Sequence, residues 1–146
     1  MGGHAYWYYV PYQPNIQTAL DALREREFRA GRYNPVMPFI DFPLEPDAPA
    51  PGNQHRTIAD ALEDSAEDGT RSILDLERVG MKPDFCTVVA VPASELEGLY
   101  GTANPTREMV EDMEFFEEVD RGHGVYVVLY ENDQPSEILF AGVSFD

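Results

Sequence analysis

The chain has 146 residues with 27 acidic and 10 basic side chains, which gives a formal net charge of −17. This length supports one domain with a sizeable core that needs no metal to fold, and the single cysteine, Cys86, excludes an internal disulfide. The acid excess disfavours direct nucleic acid binding and attachment to an anionic membrane, and it favours a basic protein partner.

The acidity is concentrated in the second part of the chain. Residues 1–56 contain six acidic side chains and five arginines, whereas residues 57–146 contain 21 acidic and five basic side chains. The net charges of the two parts are therefore −1 and −16. An acid excess can also be an adaptation of a whole proteome to high salt, because salt screens the repulsion between acidic groups. Charge alone therefore leaves two explanations open.

The segment Tyr6–Val10 predicts a strand. It holds the only tryptophan and three tyrosines, and residues alternate between the two faces of a strand, so that Trp7 and Tyr9 share one face. Because both faces are bulky and mostly apolar, we expect a central strand that later strands flank.

A helix over about 16–30 is predicted next. Asn15 is a favourable N-cap, apolar residues follow at helical spacing, and Gly31 is a typical residue after a helix end. The only basic cluster of the chain lies at its end, at Arg24, Arg26, Arg29 and Arg32. These arginines form either intrahelical pairs, such as Arg29 with Glu25, or a contact with an anion or partner.

Residues 33–56 contain six of the 12 prolines, which excludes regular helix or central strand and predicts a long Pro-rich loop. Residues 36–42 are apolar enough to pack on the body of the protein. Residues 45–53 are polar and are expected to be extended. Loops of this length are usually functional or disordered, so the apolar half is interpreted as a flap over the core or as a binding surface.

The following elements are shorter. A helix begins at Thr57 and ends at Gly69. Residues 72–79 fit either a strand or a short helix, and the flanking glycines favour a strand. The apolar segment Phe85–Val91 predicts an interior strand, and residues 94–100 a short helix.

The last third predicts a helix and a hairpin. Asn104 and Pro105 are a favourable helix start, and apolar spacing extends the helix to about Asp120. Residues 125–130 and 137–143 form two strands joined by a turn. The element order predicts a single α+β domain over residues 1–146, with a mainly antiparallel sheet of about 4–5 strands, helices packed on one face and a long Pro-rich loop.

No motif for catalysis, metal or cofactor binding is present. The histidines, His4, His55 and His123, lack partners at metal-ligand spacing, so no metal and no cofactor are expected. Among the acids, Asp75 is the one to inspect as a general acid, although a solvent-facing strand position is favoured. Residues 69–72 give a weak signal for an anion-binding turn.

We therefore favour a binding protein over an enzyme. In size and charge the chain resembles small acidic immunity and inhibitor proteins, and the expected contact is a set of carboxylates that imitate a nucleic acid backbone: Glu111, Asp112, Glu114, Glu117 and Glu118. The alternative is an enzyme or ligand-binding protein with a pocket under the Pro-rich loop, lined by Trp7, Tyr9, Phe39, Phe42 and Arg26. No signal peptide or membrane helix is recognised, which with one cysteine favours the cytoplasm.

Overall fold

Within residues 3–145, one mixed sheet is built from five strands, β1 (Ala5–Pro11), β2 (Arg78–Val79), β3 (Thr87–Ala90), β4 (Gly124–Glu131) and β5 (Gln134–Val143). The structure, a computed structural model, describes residues 3–145. The strand order is β1-β5-β4-β3-β2, in which β1, β5 and β4 are antiparallel neighbours and β4, β3 and β2 are parallel neighbours. The α+β class and the number of strands are confirmed. The prediction of a mainly antiparallel sheet is wrong, because the chain crosses over between β3 and β4 and returns parallel.

The described residues also form four helices and two 3₁₀ turns, namely α1 (Ile16–Ala30), α2 (Ile58–Asp64), α3 (Ala93–Tyr100), α4 (Arg107–Val110) and the turns Ile73–Asp75 and Glu114–Phe116. The first face of the sheet packs on α1 and the Ile73–Asp75 turn, and the second face packs on α3, α4 and the other turn. Within the described residues, no helix is both long enough and apolar enough to cross a membrane.

The prediction that the helices pack on one face is therefore wrong, and β5 shows the reason. Ile138 and Phe140 belong to the core cluster of the first face, whereas Leu139 and Ala141 belong to that of the second. A strand with apolar residues on both sides needs cover on both faces.

Strand β1 lies at an edge of the sheet, so the expectation of a central strand is wrong. Among the described strands it pairs with β5 alone, because the β4–β5 hairpin occupies the centre. Tyr6 and Tyr8 are buried on the first face, while Trp7 is half-buried on the second. The Tyr6 ring lies over Gly142, its partner in the ladder, where a Cβ atom would approach the ring to 2.6 Å.

Helix α1 has the predicted bounds. The Asn15 side chain accepts a hydrogen bond from the Thr18 N–H at 3.0 Å, and Gly31 ends the helix with a left-handed φ of 77°. Leu20 and Leu23 are buried against the first face of the sheet.

The elements between residues 57 and 100 agree with the predictions in position but not always in length. Thr57 caps α2 through the Asp60 N–H, yet the helix ends at Asp64, before Gly69. Residues 72–79 form both of the predicted alternatives, a 3₁₀ turn followed by β2. Strand β3 is interior between β2 and β4, and α3 matches the predicted short helix.

The helix predicted to run to about Asp120 is wrong. The cap is Thr106, α4 ends at Val110, and Met113 adopts a left-handed conformation with φ 58°. The Asp112 carboxylate accepts a hydrogen bond from the Glu114 N–H at 2.9 Å, a side-chain turn that competes with helical bonding. The break allows Phe115 to reach the core of the second face.

The predicted C-terminal hairpin is present with a tighter turn. Asn132 and Asp133 have positive φ values of 53° and 62°, as a two-residue hairpin turn requires. The strands therefore extend further into the predicted turn than their apolar residues indicate.

Candidate functional site

An unneutralised group of carboxylates lies between α4 and β4. We call it the acidic surface, and it consists of Glu108, Glu111, Asp112, Glu114, Glu117, Glu118 and Asp120. All seven side chains are exposed, and no ion pair within residues 3–145 involves them. Their charges therefore face solvent without a basic neighbour bound to them.

Apolar residues anchor the acidic surface to the sheet. Val110 is fully buried and Phe115 is 4% exposed, and both pack in the core of the second face. Met113 and Phe116 are half-buried against the same core. The carboxylates are thus carried by a segment whose apolar side chains alternate with them and fix its position.

A hydrogen bond ties the acidic surface to α3. The Tyr100 hydroxyl donates to Asp112 Oδ1 at 2.9 Å, and the same oxygen accepts the Glu114 N–H. Burial and the neighbouring Asp112 carboxylate raise the pKa of Tyr100 well above its usual range, so the phenol keeps the proton that it donates. No local sequence pattern indicates this contact, because its two side chains lie on separate elements.

The five carboxylates predicted to bind a partner all belong to this surface. They do not form one face of a helix, because the chain turns at Met113. Four of them have no hydrogen bond of their side chains within residues 3–145, and Asp112 alone is committed to local contacts.

The second feature is a segment that covers the free edge of β1. We call residues 37–46 the strap. Its first part lines a cleft of about 190 Å³ with Ala5, and its last part lines a cleft of about 200 Å³ with Tyr8 and Tyr9. It therefore runs alongside β1 from start to end. No backbone hydrogen bond joins the strap to β1 within the described residues.

Phe42 is the aromatic contact between the strap and the strand. Its ring centroid lies 5.9 Å from that of Trp7 and 5.1 Å from that of Tyr8. Since Trp7 and Tyr8 point to opposite faces, Phe42 sits over the edge between them.

The five residues predicted to line one pocket are divided between the two clefts. Tyr9 and Arg26 line the larger cleft, while Phe39 and Phe42 line the smaller one. Trp7 lines neither cleft and packs on Phe42. Phe39 is 89% exposed, so it does not wall a closed cavity.

Sequence reasoning missed Arg107, which closes one side of the larger cleft. Its guanidinium lies 3.8 Å from the ring centroid of Tyr9 and 3.1 Å from the Glu137 carboxylate. Such a contact between a cation and an aromatic face is favourable. The three residues come from α4, β1 and β5, so only the folded chain brings them together.

The basic cluster of α1 is used inside the molecule. Arg26 and Arg32 donate to the carboxylate of Glu27, which is fully buried, at 2.8 Å. Arg29 pairs with Glu25 at 2.7 Å, as the spacing predicts. These arginines therefore neutralise neighbouring acids.

Asp75 is buried, not solvent-facing, so the expected position is wrong. Its Oδ1 accepts the Thr70 N–H at 2.7 Å and the Thr70 hydroxyl at 2.8 Å. Burial raises the pKa of Asp75 to about 6, although these donors oppose the shift. The turn over residues 69–72, considered as an anion site, thus binds a carboxylate of the same chain.

The remaining reactive side chains have structural contacts. Burial raises the pKa of the Cys86 thiol to about 11, so the thiolate is scarce at neutral pH. His55 bridges Tyr33 and Asp64 at 2.8 Å and 2.9 Å, and this contact attaches the loop before α2 to the body. Within residues 3–145 no group of three or more histidine, cysteine or acidic side chains is placed to hold a metal ion.

Two places therefore carry the residues that the sequence singles out. The acidic surface presents exposed carboxylates on an anchored segment, and the strap forms two shallow clefts along β1. Comparison with protein-family models, with curated proteins and with solved structures found no match.

Proposed function

We propose that this protein binds a basic protein through the acidic surface and inhibits it by occlusion, as an immunity protein or antitoxin does. One observation supports this proposal most strongly. The carboxylates of Glu111, Glu114, Glu117 and Glu118 are exposed and unpaired, while Val110 and Phe115 hold their segment in the core.

Anchoring matters because it lowers the entropy cost of binding. A flexible acidic tail would lose backbone and side-chain freedom when a partner orders it. Here the backbone is already held, so the carboxylates can meet a cleft that normally receives phosphates without a further folding step. These carboxylates would form charge-assisted hydrogen bonds with the basic side chains of the partner's cleft and block access to it.

Net charge supports the approach of the partner. Residues 57–146 carry a net charge of −16, and this field extends beyond the contact itself. Opposite charges on two proteins raise the association rate and orient the encounter. The rest of the surface therefore assists binding without touching the partner.

Two variants with equal net charge test the proposal. The first neutralises the acidic surface with Glu111→Gln, Glu114→Gln, Glu117→Gln and Glu118→Gln, and keeps Asp112 for its structural bonds. The control neutralises four exposed acids elsewhere, with Asp47→Asn, Glu63→Gln, Glu67→Gln and Asp68→Asn.

Each immobilised variant is used to capture proteins from an extract of the source cell, with quantification by mass spectrometry. We expect the control to retain a basic partner and the first variant to lose it at least about tenfold, since direct contacts are removed. Equal capture by both variants would show that the acidic surface is not the contact.

The larger cleft favours a second candidate, the binding of a small anionic aromatic ligand. Arg26 and Arg107 line this cleft together with Tyr9, and a small anion would compete with Glu27 and Glu137 for their guanidinium groups. The volume of about 200 Å³ is below that of most ligand sites, so only a small ligand fits. Benzoate is a suitable probe, and an Arg26→Gln variant should abolish any thermal stabilisation that it causes. Absence of stabilisation in the unmodified protein would reject this candidate.

A further inference from the structure

The backbone of β1 has one hydrogen-bonding edge that β5 does not use. The Tyr12 N–H donates to the Ser136 C=O, and the Ser144 N–H donates to the His4 C=O. Residues 4 and 12 thus turn their backbone groups toward β5, and so do the even-numbered residues between them. The N–H and C=O groups of Ala5, Trp7 and Tyr9 point the other way.

The strap lies over this edge but does not pair with it. Pro38, Pro43 and Pro46 lack the N–H that a ladder needs, and no backbone bond links the strap to β1 within residues 3–145. Its side chains hold it in place, through the Phe42 ring against Trp7 and Tyr8 and through Leu44 against the core of the first face. An edge covered without pairing can be uncovered without breaking a ladder.

We propose that the free edge of β1 is a strand-addition site for a second copy of this chain, and that the strap is its removable cover. In the pairing, two β1 strands run antiparallel around a two-fold axis at Trp7, so that Ala5 of one copy faces Tyr9 of the other. Each facing pair exchanges two N–H···O=C bonds, and the two sheets become continuous.

The register follows from the ends of the available edge. Pro11 is the next residue that faces outward, and it has no N–H to donate. The outward residues with complete backbone groups are therefore Ala5, Trp7 and Tyr9, and Trp7 is their centre. An edge that is symmetric about one residue suits self-pairing.

Charge favours a second copy at this edge over any other side of the molecule. The part of the chain that contains β1, α1 and the strap has a net charge of −1, whereas residues 57–146 carry −16. Two copies that meet along β1 keep their acidic surfaces apart, and salt should strengthen their association by screening the repulsion that remains. A basic partner on the acidic surface would show the opposite salt dependence, so this proposal and the proposed function can fail separately.

The test measures the mass of purified variants by light scattering over about a hundredfold dilution. Phe42→Ala loosens the strap, and Phe39→Ala is the matched control, since Phe39 lies on the strap but is exposed. We expect a twofold mass for Phe42→Ala at high concentration that falls to the monomer mass on dilution. The unmodified protein and Phe39→Ala should have the monomer mass throughout.

A third variant identifies the surface. Ala5→Pro removes an outward N–H without affecting the ladder to β5, and Ala5 is exposed, so the fold is expected to be kept. When Ala5→Pro is added to Phe42→Ala, the protein should return to the monomer mass. The fluorescence emission of Trp7, the only tryptophan, should then return to that of the monomer as well. Three results would overturn the proposal. The Phe42→Ala protein could stay monomeric, the unmodified protein could form the dimer equally well, or the dimer could persist when Ala5→Pro is added.

Discussion

Residues 3–56 and residues 57–145 differ in how their acidic side chains are paired and in how deeply their irregular segments are anchored. In the first part the buried acid, Glu27, is paired with Arg26 and Arg32, while the strap touches β1 through the half-buried Phe42. The buried charge there is neutralised, and the strap covers the sheet edge without a backbone hydrogen bond to β1 within residues 3–145.

The second part leaves the charges of the acidic surface unpaired and holds this irregular segment firmly. The acidic surface forms no ion pair within the described residues, yet Val110 and Phe115 fix it in the core. Within residues 3–145, buried Asp75 also has no ion pair. An irregular segment can therefore be either a shallowly packed cover, like the strap, or a fixed surface, like the acidic surface, depending on how deeply its apolar side chains are buried.

The largest expected change in stability comes from the anchor of the acidic surface. Phe115→Ala should lower the free energy of unfolding by about 3–5 kcal/mol, because it deletes a large buried ring from the core of the second face. Urea denaturation measures this change. Phe39→Ala is the control and should change stability by less than about 0.5 kcal/mol, since the ring is exposed. A small effect of Phe115→Ala would mean that the acidic surface is not anchored as described.

The second effect concerns the buried carboxyl of Asp75. Because the folded pKa of Asp75, about 6, exceeds its usual value of 3.8, the folded protein binds this proton more tightly than the unfolded chain. Its contribution to stability is therefore fully present below about pH 4 and lost as the pH rises to about 6, a change on the order of 3 kcal/mol.

An Asp75→Asn variant removes this titration and keeps an oxygen to accept the Thr70 hydrogen bonds. The difference in unfolding free energy between the variant and the unmodified protein should therefore change across this pH range. The other acids titrate in both proteins and cancel. A difference that stays constant with pH would contradict the account of Asp75.

The third effect is on the strap. Phe42→Ala should cost about 1–2 kcal/mol, because the ring is half-buried. In limited proteolysis at low protein concentration, cleavage within residues 37–46 should become faster, whereas cleavage within residues 110–116 should keep its rate. Equal changes in both segments would contradict the difference between a shallowly packed strap and an anchored acidic surface.

The smallest effect concerns the bond between α3 and the acidic surface. Tyr100→Phe removes the hydroxyl that donates to Asp112, and should cost about 0.5–1.5 kcal/mol. Hydrogen exchange at the Glu114 amide should also increase, because Asp112 accepts from both groups. Tyr12→Phe, which removes a hydroxyl that has no hydrogen bond within residues 3–145, serves as the control for the loss of a phenol oxygen.

Local signals predicted much of the secondary structure. Asn15 and Gly31 delimit α1 because caps act within a few residues. The helix predicted to reach Asp120 failed for a nonlocal reason. Its apolar spacing is helical, but Tyr100 binds Asp112 and the core takes up Phe115, and neither partner is visible in the segment itself.

The position of β1 at the sheet edge could not be predicted, because a strand can be buried either by a second neighbouring strand or by a covering segment. Two apolar faces indicated a central strand, but one side of β1 is paired with β5 and the other is covered by the strap. The exposure of the carboxylates in the acidic surface could be predicted, because Asp and Glu side chains are mostly exposed in folded proteins. The contact of Arg107 with Tyr9 depends on tertiary structure, as does the division of the predicted pocket into two clefts.

The proposed function is tested most directly by the rate at which a captured basic partner associates with the unmodified protein as salt is raised. From about 0.01 M to about 0.15 M salt the screening length falls from about 30 Å to about 8 Å. The account predicts that the rate constant falls steeply, by about tenfold or more, and that neutralising the acidic surface removes most of this dependence. A rate constant that does not change with salt would contradict the proposal that the acidic surface attracts and binds its partner.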